Sequence, residues 1–340
     1  MSKKNSNVIL KDLFKNNKEL FHVYQNLKKK LEKLKDKDFL VAVSGGPDSL
    51  ALAALTMLYK VEKKKFFQYI HIDHNLRKNS SKEAITVKKL FKKHKLNLKV
   101  FLNKEKIKKN IQSQARQIRY EILNKYCVQN NIKTILTGHN LEDQVETFFI
   151  RLSRGSGLTG LSAMKPLSKL SQKVKLFRPL LDVKKKYLIE ISTIVFGKFV
   201  RDPSNHDNKY LRTRIRNLEF PLKKSGISYD QIIKSINNLA SSKNILDNYF
   251  NEIFDKTVKK SRHEVLINLR KFNSSSEEFK IRLINQSIKE LRKNYYNPRS
   301  KKVIRLINNI KSKNFSKSTL GGCLFTKKKY HLSLKVEKIR

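Results

Sequence analysis

The chain has 340 residues, of which 39% are hydrophobic and 31% charged, so it contains enough apolar material for two folded domains. Its formal net charge of +48 excludes a neutral surface and attracts polyanions, with RNA as the leading partner. Lysine-biased coding is the alternative explanation, so charge alone does not assign a function. The two cysteines, Cys127 and Cys323, fit neither a zinc-binding spacing nor a disulfide scaffold.

The beginning of the chain does not have the pattern of a signal peptide. Met1 to Asn7 carries lysines, but no apolar stretch or small-residue cleavage site follows it. No run anywhere in the sequence approaches the about 18 apolar residues that a membrane-spanning helix needs. We therefore expect a cytoplasmic protein without a membrane partner.

The first two thirds of the sequence alternate between strand-like and helix-like segments. A lead-in helix is predicted between Glu19 and Leu34, inside an N-terminal segment of residues 1–37. Short apolar runs then alternate with helical patterns, which is typical of βαβ units. The strand candidates are Phe39 to Val43, Phe66 to Ile72, Leu96 to Leu102, Ile132 to Thr137 and Val174 to Phe177. This pattern predicts an α/β domain over residues 38–224, a Rossmann-like parallel five-stranded sheet flanked by helices.

The alternation stops after Pro221 and Gly226, and we place a domain boundary near Ser225. Helical patterns dominate residues 229–311, with one strand candidate at Val265 to Leu269. Near the end, Gly321-Gly322 forms a predicted turn between two short strand-like runs. Residues 226–340 are therefore predicted to form a smaller, mainly helical domain with a terminal β element.

The first strand candidate leads into a glycine-rich turn that is suited to binding phosphate. The turn consists of Ser44, Gly45, Gly46, Pro47, Asp48 and Ser49, and an apolar helix follows it. Backbone amides and a helix N-terminus attract an anion there. The lysine of a Walker A motif is missing and an acid, Asp48, lies in the loop, so we expect Asp48 to bind Mg²⁺ beside the phosphates. The alternative is an ordinary strand-to-helix turn with Asp48 as a helix cap.

Polar side chains also follow the second strand candidate. His71 and Asp73 lie where that strand ends, at the edge where the glycine-rich loop opens, which favours a nucleotide-facing role. A transition-metal site is disfavoured, because no cysteine pair or second histidine motif accompanies them. Further along, Arg116 and Arg119 share one face of a predicted helix. A capping box of Ser80 and Glu83 and a cap at Asn110 mark the helix starts in this region.

A third cluster follows the fourth strand candidate. His139, Asp143 and Glu146 are spaced i, i+4 and i+7, which predicts one shared helical face. Two carboxylates beneath a histidine at a strand end can bind magnesium or an ammonium group and act as a base. A surface helix with ordinary charges is the alternative. Arg151 and Arg154 begin a glycine-rich basic stretch, which is typical of a mobile loop over a site.

These motifs together resemble those of the tRNA(Ile)-lysidine synthetases, a family of PP-loop ATP pyrophosphatases. The matching segments are SGGPDS (44–49), HIDHNLR (71–77), ARQIRY (115–120), GHNLEDQVETFFIRLSRGSGLTGL (138–161), RPLL (178–181), DPSN (202–205) and YLRTRIR (210–216). The resemblance covers about Phe39 to Leu222 and, more weakly, Leu320-Gly321-Gly322. Larger members of the family continue with a further domain, so this chain looks like a shorter version.

The resemblance implies a two-step reaction with ATP as co-substrate and Mg²⁺ as cofactor. The O2 atom of an anticodon cytidine in tRNA(Ile) with a CAU anticodon attacks the α-phosphate, and free L-lysine then displaces AMP at C2. Asp48, Asp143, Glu146 and His139 are the implied catalytic residues, and residues 44–49 bind the phosphates. The implied nucleotide contacts are His71, Asp73, Arg116 and Arg119, and the implied tRNA contacts are Arg151, Arg154, Arg212, Arg214 and Arg216. A homodimer stays open.

Three other functions stay open beside this one. A PP-loop tRNA thiolase also adenylates a base but delivers sulfur, generally through paired or cluster-binding cysteines, which Cys127 and Cys323 support poorly. An amidotransferase-type ligase needs a source of ammonia and an N-terminal cysteine nucleophile. A non-catalytic RNA-binding module uses no ATP and leaves His139, Asp143 and Glu146 unexplained.

Overall fold

The computed structural model describes residues 17–63, 65–76, 80–103, 105, 107, 111–200, 207–292, 298–312 and 314–337. Several sequence motifs named above lie outside these residues: Met1 to Asn7, Arg77, Asn110 and Asp202-Pro203-Ser204-Asn205. The chain divides into two compact units between Ala240 and Ser241. No helix in the described ranges is both long and apolar enough to cross a membrane.

The first unit contains a six-stranded sheet in the order β3-β2-β1-β4-β6-β5. Its strands are β1 Asp38–Ala42, β2 Phe66–Asp73, β3 Leu98–Leu102, β4 Thr134–Leu136, β5 Leu167–Lys169 and β6 Lys175–Phe177. The five predicted strands are present and pair in parallel. The predicted number of five strands is wrong by one, because β5 pairs antiparallel with β6 at the edge. β5 has three residues and none is buried, so it lacks the apolar run that marks the other strands.

Helices lie against both faces of this sheet. The first unit has α1 Lys18–Glu32, α2 Pro47–Lys63, α3 Ser80–Lys93, α4 Ile111–Gln129, α5 Leu141–Leu152, α6 Leu158–Leu161, α7 Lys185–Phe196, α8 Leu211–Arg216 and α9 Glu219–Lys224. The predicted lead-in helix is confirmed as α1, where the Asn17 side chain caps the backbone N–H groups of Glu19 and Leu20. Helix α10, Tyr229–Thr257, crosses the division between the units.

Side chains along β1 alternate between the two faces of the sheet, and a separate core cluster covers each face. Phe39 and Val41 join a core cluster that includes the buried helix α2, whereas Leu40 joins a second cluster with residues of α4. A third, smaller cluster combines Leu141 and Val145 of α5 with residues from the first part of α10. The carboxyl ends of the parallel strands therefore lie on the same side of a sheet that is packed on both faces. The loops that follow these strand ends carry the polar motifs.

The second unit combines helices with a five-stranded antiparallel sheet in the order β7-β8-β11-β10-β9. Its elements are β7 Val258–Lys260, β8 Glu264–Asn268, α11 Leu269–Asn273, α12 Glu277–Leu291, α13 Ser300–Lys311, β9 Lys317–Leu320, β10 Cys323–Lys327 and β11 His331–Val336. The terminal β element is confirmed, and Gly321 and Gly322 turn with positive φ of 65° and 67°. The strand predicted at Val265 to Leu269 pairs with β11, so it belongs to the same sheet. The boundary near Ser225 stays a prediction, since the compact units divide later, within α10.

Candidate active site

The glycine-rich loop is closed by one hydroxyl group. The Ser49 Oγ atom accepts hydrogen bonds from the backbone N–H groups of Ser44 (3.1 Å) and Gly45 (3.2 Å) and donates one to the Gly46 carbonyl (3.0 Å). Gly45 has a φ of 88°, and a Cβ atom there would lie 2.6 Å from Val87 Cγ2. Only glycine fits this position. The loop is therefore held in shape by hydrogen bonds between its own residues. A bound phosphate would have to replace Ser49 Oγ as the acceptor of the Ser44 and Gly45 N–H groups.

Asp48 is the second residue of α2 and faces the start of α5. Its Oδ1 atom is buried and has no hydrogen-bond partner in the part of the chain that the structure describes. Burial, followed by the nearby Asp143 carboxylate, raises the pKa of Asp48 to about 6, although Lys185 and the Asn140 side chain oppose the shift. A Cβ atom on Gly138 would lie 2.7 Å from the Asp48 carbonyl oxygen. The loops after β1 and β4 thus touch through backbone that leaves no room for a side chain.

Helix α5 begins later than the sequence pattern assumed. Asn140 is its N-cap: its side chain accepts from the Asp143 N–H (2.9 Å), and the Asp143 carboxylate accepts from the Asn140 N–H (3.1 Å). His139 therefore precedes the helix, and the prediction that it shares a helical face with Asp143 and Glu146 is wrong. The His139 ring bonds Thr137 Oγ1 through Nδ1 (2.9 Å). Burial and nearby arginines, first Arg116, lower its pKa to about 3, so the ring is neutral at physiological pH.

Two arginines of α8 bind the carboxylates of α5. Arg212 bridges them, with its Nη2 atom 2.6 Å from Asp143 Oδ1 and its Nε atom on Glu146. Arg216 binds the other oxygen of Glu146 through Nε. The side chain of Glu146 is only 2% exposed, against 16% for Asp143. Arg212 and Arg216, which the resemblance assigned to tRNA, thus contact the predicted catalytic acids, whereas Arg214 is exposed on another side of α8.

The residues predicted to face the nucleotide form a second group, at the end of β2. His71 is buried and its Nδ1 atom lies 2.9 Å from the Val43 carbonyl, so that nitrogen carries the proton. Asp73 accepts from the Asn75 N–H (2.9 Å) and the Ser81 hydroxyl (3.0 Å), contacts that also hold the start of α3. Arg119 donates through Nε to His74 Nε2 (3.3 Å). These groups lie at the strand end that the sequence predicted.

Three further arginines differ in how far they fit the prediction. Arg116 is exposed and lies over the Tyr120 ring, with 5.1 Å to its centroid. Arg151 donates through Nη1 to the carbonyls of Gly160 and Ala163, both at 2.7 Å, so it holds the α6 turn. Arg154 is exposed next to this turn. The RNA-binding role stays a prediction for Arg154, and for Arg151 the structure gives a positioning contact.

Three residues of this region are assigned no role by the sequence analysis, although Arg178 lies in a segment that matches the family. Arg178 follows β6 directly and is buried, with its Nη1 atom 2.8 Å from the Lys165 carbonyl. The Glu142 carboxylate accepts from the backbone N–H of Lys185 (3.0 and 2.9 Å), so it caps the start of α7. The signal for Arg178 was available, because side chains that follow parallel strands meet at one edge. The contact between Glu142 and Lys185 forms only in the folded protein, so no local sequence pattern predicts it.

The residues at Asp48 fit a magnesium ion bound together with ATP. Asp48 offers a buried carboxylate oxygen without a partner among the described residues, and Asp143 lies near enough to raise its pKa. Carboxylate oxygens are ligands that Mg²⁺ prefers, and it commonly completes its shell with phosphate oxygens and water. No group of three His, Cys, Asp or Glu side chains in the described ranges is arranged to hold a metal ion alone. The fit is therefore to a shared site, not to a protein cage.

Comparison with known proteins finds relatives that match most of the chain. Residues 19–222 match the PP-loop domain family. The tRNA(Ile)-lysidine synthase of Wolbachia pipientis wMel is 36% identical over 294 residues, which cover 84% of this chain and 68% of that protein. The tRNA(Ile)-lysidine synthase of Wolbachia sp. subsp. Brugia malayi (strain TRS) is 34% identical over 329 residues, which cover 94% and 72%.

Among solved structures, the U34-tRNA thiolase NcsA from Methanococcus maripaludis, with its 4Fe-4S cluster, superposes with a TM-score of 0.55. It is 19% identical, and the match covers 64% of this chain and 77% of that chain, a likeness that shows the fold alone. The sequence relatives are more specific, because their similarity extends over most of both chains. On these matches and on the PP-loop domain at its core, the chain belongs to the tRNA(Ile)-lysidine synthase family.

Proposed function

We propose that this protein joins free L-lysine to C2 of the wobble cytidine of tRNA(Ile) with a CAU anticodon, and that it consumes ATP to do so. The products are lysidine, AMP and pyrophosphate. Membership of the family supports the reaction. The observation that carries the proposal in the structure is the contact of the phosphate loop with the loop before α5, at Gly138 and Asp48, which brings phosphate-binding amides and carboxylates together.

In the first step, the cytidine O2 atom attacks the α-phosphorus of ATP and pyrophosphate leaves. The backbone N–H groups of the phosphate loop, which Pro47 lacks, and the N-terminus of α2 would stabilise the negative charge of the leaving group. The N–H groups of Ser44 and Gly45 would exchange their bonds to Ser49 Oγ for bonds to phosphate oxygens. Magnesium held by Asp48 would neutralise charge on the phosphates. His139 follows Gly138, which touches Asp48, and its half-buried ring is neutral, so we assign it an orienting hydrogen bond rather than a proton donated from an imidazolium.

In the second step, the ε-amine of lysine attacks C2, and the C2–O2 bond breaks so that O2 leaves within AMP. The ammonium has an ordinary pKa of about 10.4, so it must lose one proton before the attack and a second one afterwards. Asp143 is the better candidate for the base, because it is more exposed than Glu146 and contacts one arginine instead of two. Glu146 then serves to hold Arg212 and Arg216 in place.

The rival functions have less support from the structure. Cys127 and Cys323 are each fully buried and lie in separate core clusters. Burial raises the pKa of Cys127 to about 12, so it is a poor sulfur nucleophile. A non-catalytic RNA-binding module does not need the buried carboxylate of Asp48 next to Asp143. We extend the proposal to Mg²⁺ as cofactor and the cytoplasm as compartment, and a homodimer stays open.

The test is incubation with ATP, labelled lysine and total tRNA, followed by nucleoside analysis. We expect labelled lysidine, with ATP cleaved to AMP and pyrophosphate only when tRNA is present. The Asp48→Asn variant should lose nearly all adenylation, whereas Asp182→Asn, at an exposed ion pair with Lys30, should keep it. Formation of ADP, or label in another nucleoside, would contradict the proposed function.

A further inference from the structure

Helix α9 presents one aromatic side chain to solvent. Leu222 packs against the cluster that contains Val145 and Ile236, whereas Phe220 on the same helix is 76% exposed. No other large apolar side chain in the described ranges is as exposed, and Leu218 beside it is 43% exposed. The backbone N–H of Leu222 bonds the Leu218 carbonyl at 2.9 Å, so the turn that carries Phe220 is helical, and the Leu222 side chain anchors it to the core. A single exposed apolar side chain is ordinary on a protein surface, so the case for a binding site depends on the residues around the ring.

The chain segment that carries Phe220 is positively charged. Arg214, Lys223 and Lys224 are all exposed within the α8–α9 segment, where Glu219 is the single acidic residue. An apolar ring among cations complements a nucleic acid, because the ring stacks on a base while the cations bind phosphates. An apolar protein segment would gain nothing from these cations. The pattern therefore favours RNA over a protein partner.

The position of Phe220 relative to the active site points the same way. Helix α8 places Arg212 and Arg216 on the carboxylates of α5, and its last turn leads directly into α9. Glu219, next to Phe220, is close enough to Glu142 at the start of α5 to raise the pKa of that carboxyl, after the larger effect of burial. The exposed ring thus lies on the segment that borders the carboxylates.

We propose that Phe220 is a stacking platform for a nucleobase of the RNA substrate, with Arg214, Lys223 and Lys224 binding the neighbouring phosphates. The inference rests on the proposed function, because a cytidine can reach Asp48 and Asp143 only if the anticodon bases are unstacked from one another. A base that leaves the stack needs another surface to stack on. Phe220 supplies that surface beside the reaction centre.

The absence of tryptophan from the sequence allows a direct test. The Phe220→Trp variant carries a sole tryptophan at the proposed contact, and its fluorescence should be quenched when an anticodon stem–loop RNA with the sequence CAU is added. The matched control is Phe66→Trp. Phe66 is also exposed, at 62%, but it is the first residue of β2 and therefore lies at the amino end of that strand, opposite to the end where the polar motifs lie. Its emission should stay unchanged.

A second variant measures how much the ring contributes. Phe220→Leu keeps an apolar side chain and removes the aromatic face, and we expect RNA affinity and kcat/KM for RNA to fall about 5- to 150-fold. ATP binding and the thermal unfolding midpoint should not change, and Phe66→Leu should leave all of these values as in the wild type.

The outcomes separate this inference from the proposed function. An unchanged emission of Phe220→Trp under conditions where filter binding shows the RNA bound would overturn the stacking platform, as would wild-type kcat/KM in Phe220→Leu. A blue-shifted emission without RNA, together with a larger mass in light scattering, would mean that another protein copy covers the ring, which also overturns it. If the RNA quenches the tryptophan but no lysidine forms, the stacking inference stands and the proposed function fails.

Discussion

At the scale of single residues, the site keeps a carboxyl group where burial disfavours its charge. The pKa of Asp48 in the folded protein is about 6, above the ordinary value of 3.8, because of burial and then Asp143. The folded state therefore binds more protons than the unfolded state between these two pH values. Its stability falls as pH rises through this window, and the full cost is present above about pH 6.

We expect Asp48→Asn to stabilise the protein at neutral pH in the absence of ATP and magnesium. The gain is roughly 1 to 3 kcal/mol at pH 7.5, because the amide carries no charge to bury. At pH 4.5 most of the gain should vanish, since the wild-type carboxyl is then largely protonated in the fold. Denaturant unfolding at both pH values measures this, with Asp182→Asn as control. An equal gain at both pH values would show that charge burial is not the cause.

The two acids of α5 should respond differently to loss of charge. Glu146→Gln leaves Arg212 and Arg216 without their main partner, so we expect a loss of about 1 to 3 kcal/mol in unfolding free energy, moderated because both arginines are partly solvated. Asp143→Asn should lose less stability but more of the lysine-transfer rate. Single-turnover transfer from preformed adenylated RNA, compared with denaturant unfolding, separates the two effects. The reverse order would make Glu146 the base.

At the scale of elements, the contact between the loops after β1 and β4 depends on the absence of one side chain. In Gly138→Ala, the new Cβ atom would lie 2.7 Å from the Asp48 carbonyl, and backbone cannot move aside cheaply. We expect this variant to lose stability and most adenylation. Gly157→Ala is the matched control, because Gly157 has a φ of −78° and nothing within 4 Å of the added atom. Adenylation by Gly138→Ala at the wild-type rate would show that the loops are free to separate.

The elements also show what a sequence can predict. The parallel strands follow from short apolar runs, which are buried on both faces of the sheet in β1 and mostly exposed in β3, the outermost parallel strand. Their common direction places the polar loops at one end of the strands. Strand β5 has no such run. His139 was placed on a helix because periodicity does not reveal that Asn140 caps it. The pairing of Arg212 with Asp143 connects residues far apart in the sequence, so no local pattern could assign it.

At the scale of the whole molecule, the two units share helix α10. Its residues Ile232 and Ile236 are buried in a cluster of the first unit with Leu141 and Val145 of α5. A protein cut after Ser225 loses both isoleucines, whereas one cut after Ala240 keeps them. We expect the shorter form to be less stable by several kcal/mol, on the order of 2 to 5 per buried isoleucine side chain removed. Denaturant unfolding of both forms tests this, and equal stability of the two forms would place the end of the first folded domain near Ser225.

We also propose that residues 226–340 supply much of the grip on tRNA, since the catalytic motifs precede them. For a folded form ending at Ala240, the slope of log affinity for tRNA against log salt should be flatter, by about 0.7 to 0.9 for each phosphate that the shorter form no longer neutralises. The value of kcat/KM for tRNA should fall much more than ATP affinity changes. Calorimetry at two salt concentrations measures both affinities. An unchanged slope would mean that the second unit only stabilises the first.

The shared helix has a consequence for synthesis of the protein on the ribosome. Protein domains generally fold as units, starting from the N-terminus of the nascent chain. The last two core residues of the cluster around α5, Ile232 and Ile236, come in the sequence after every residue to which we assign a catalytic role. The carboxylates of α5 therefore rest on an incomplete core until the first turns of α10 have left the exit tunnel. A nascent chain that stalls after Arg216 carries every residue that we propose for catalysis but not yet the packing that holds these residues in place.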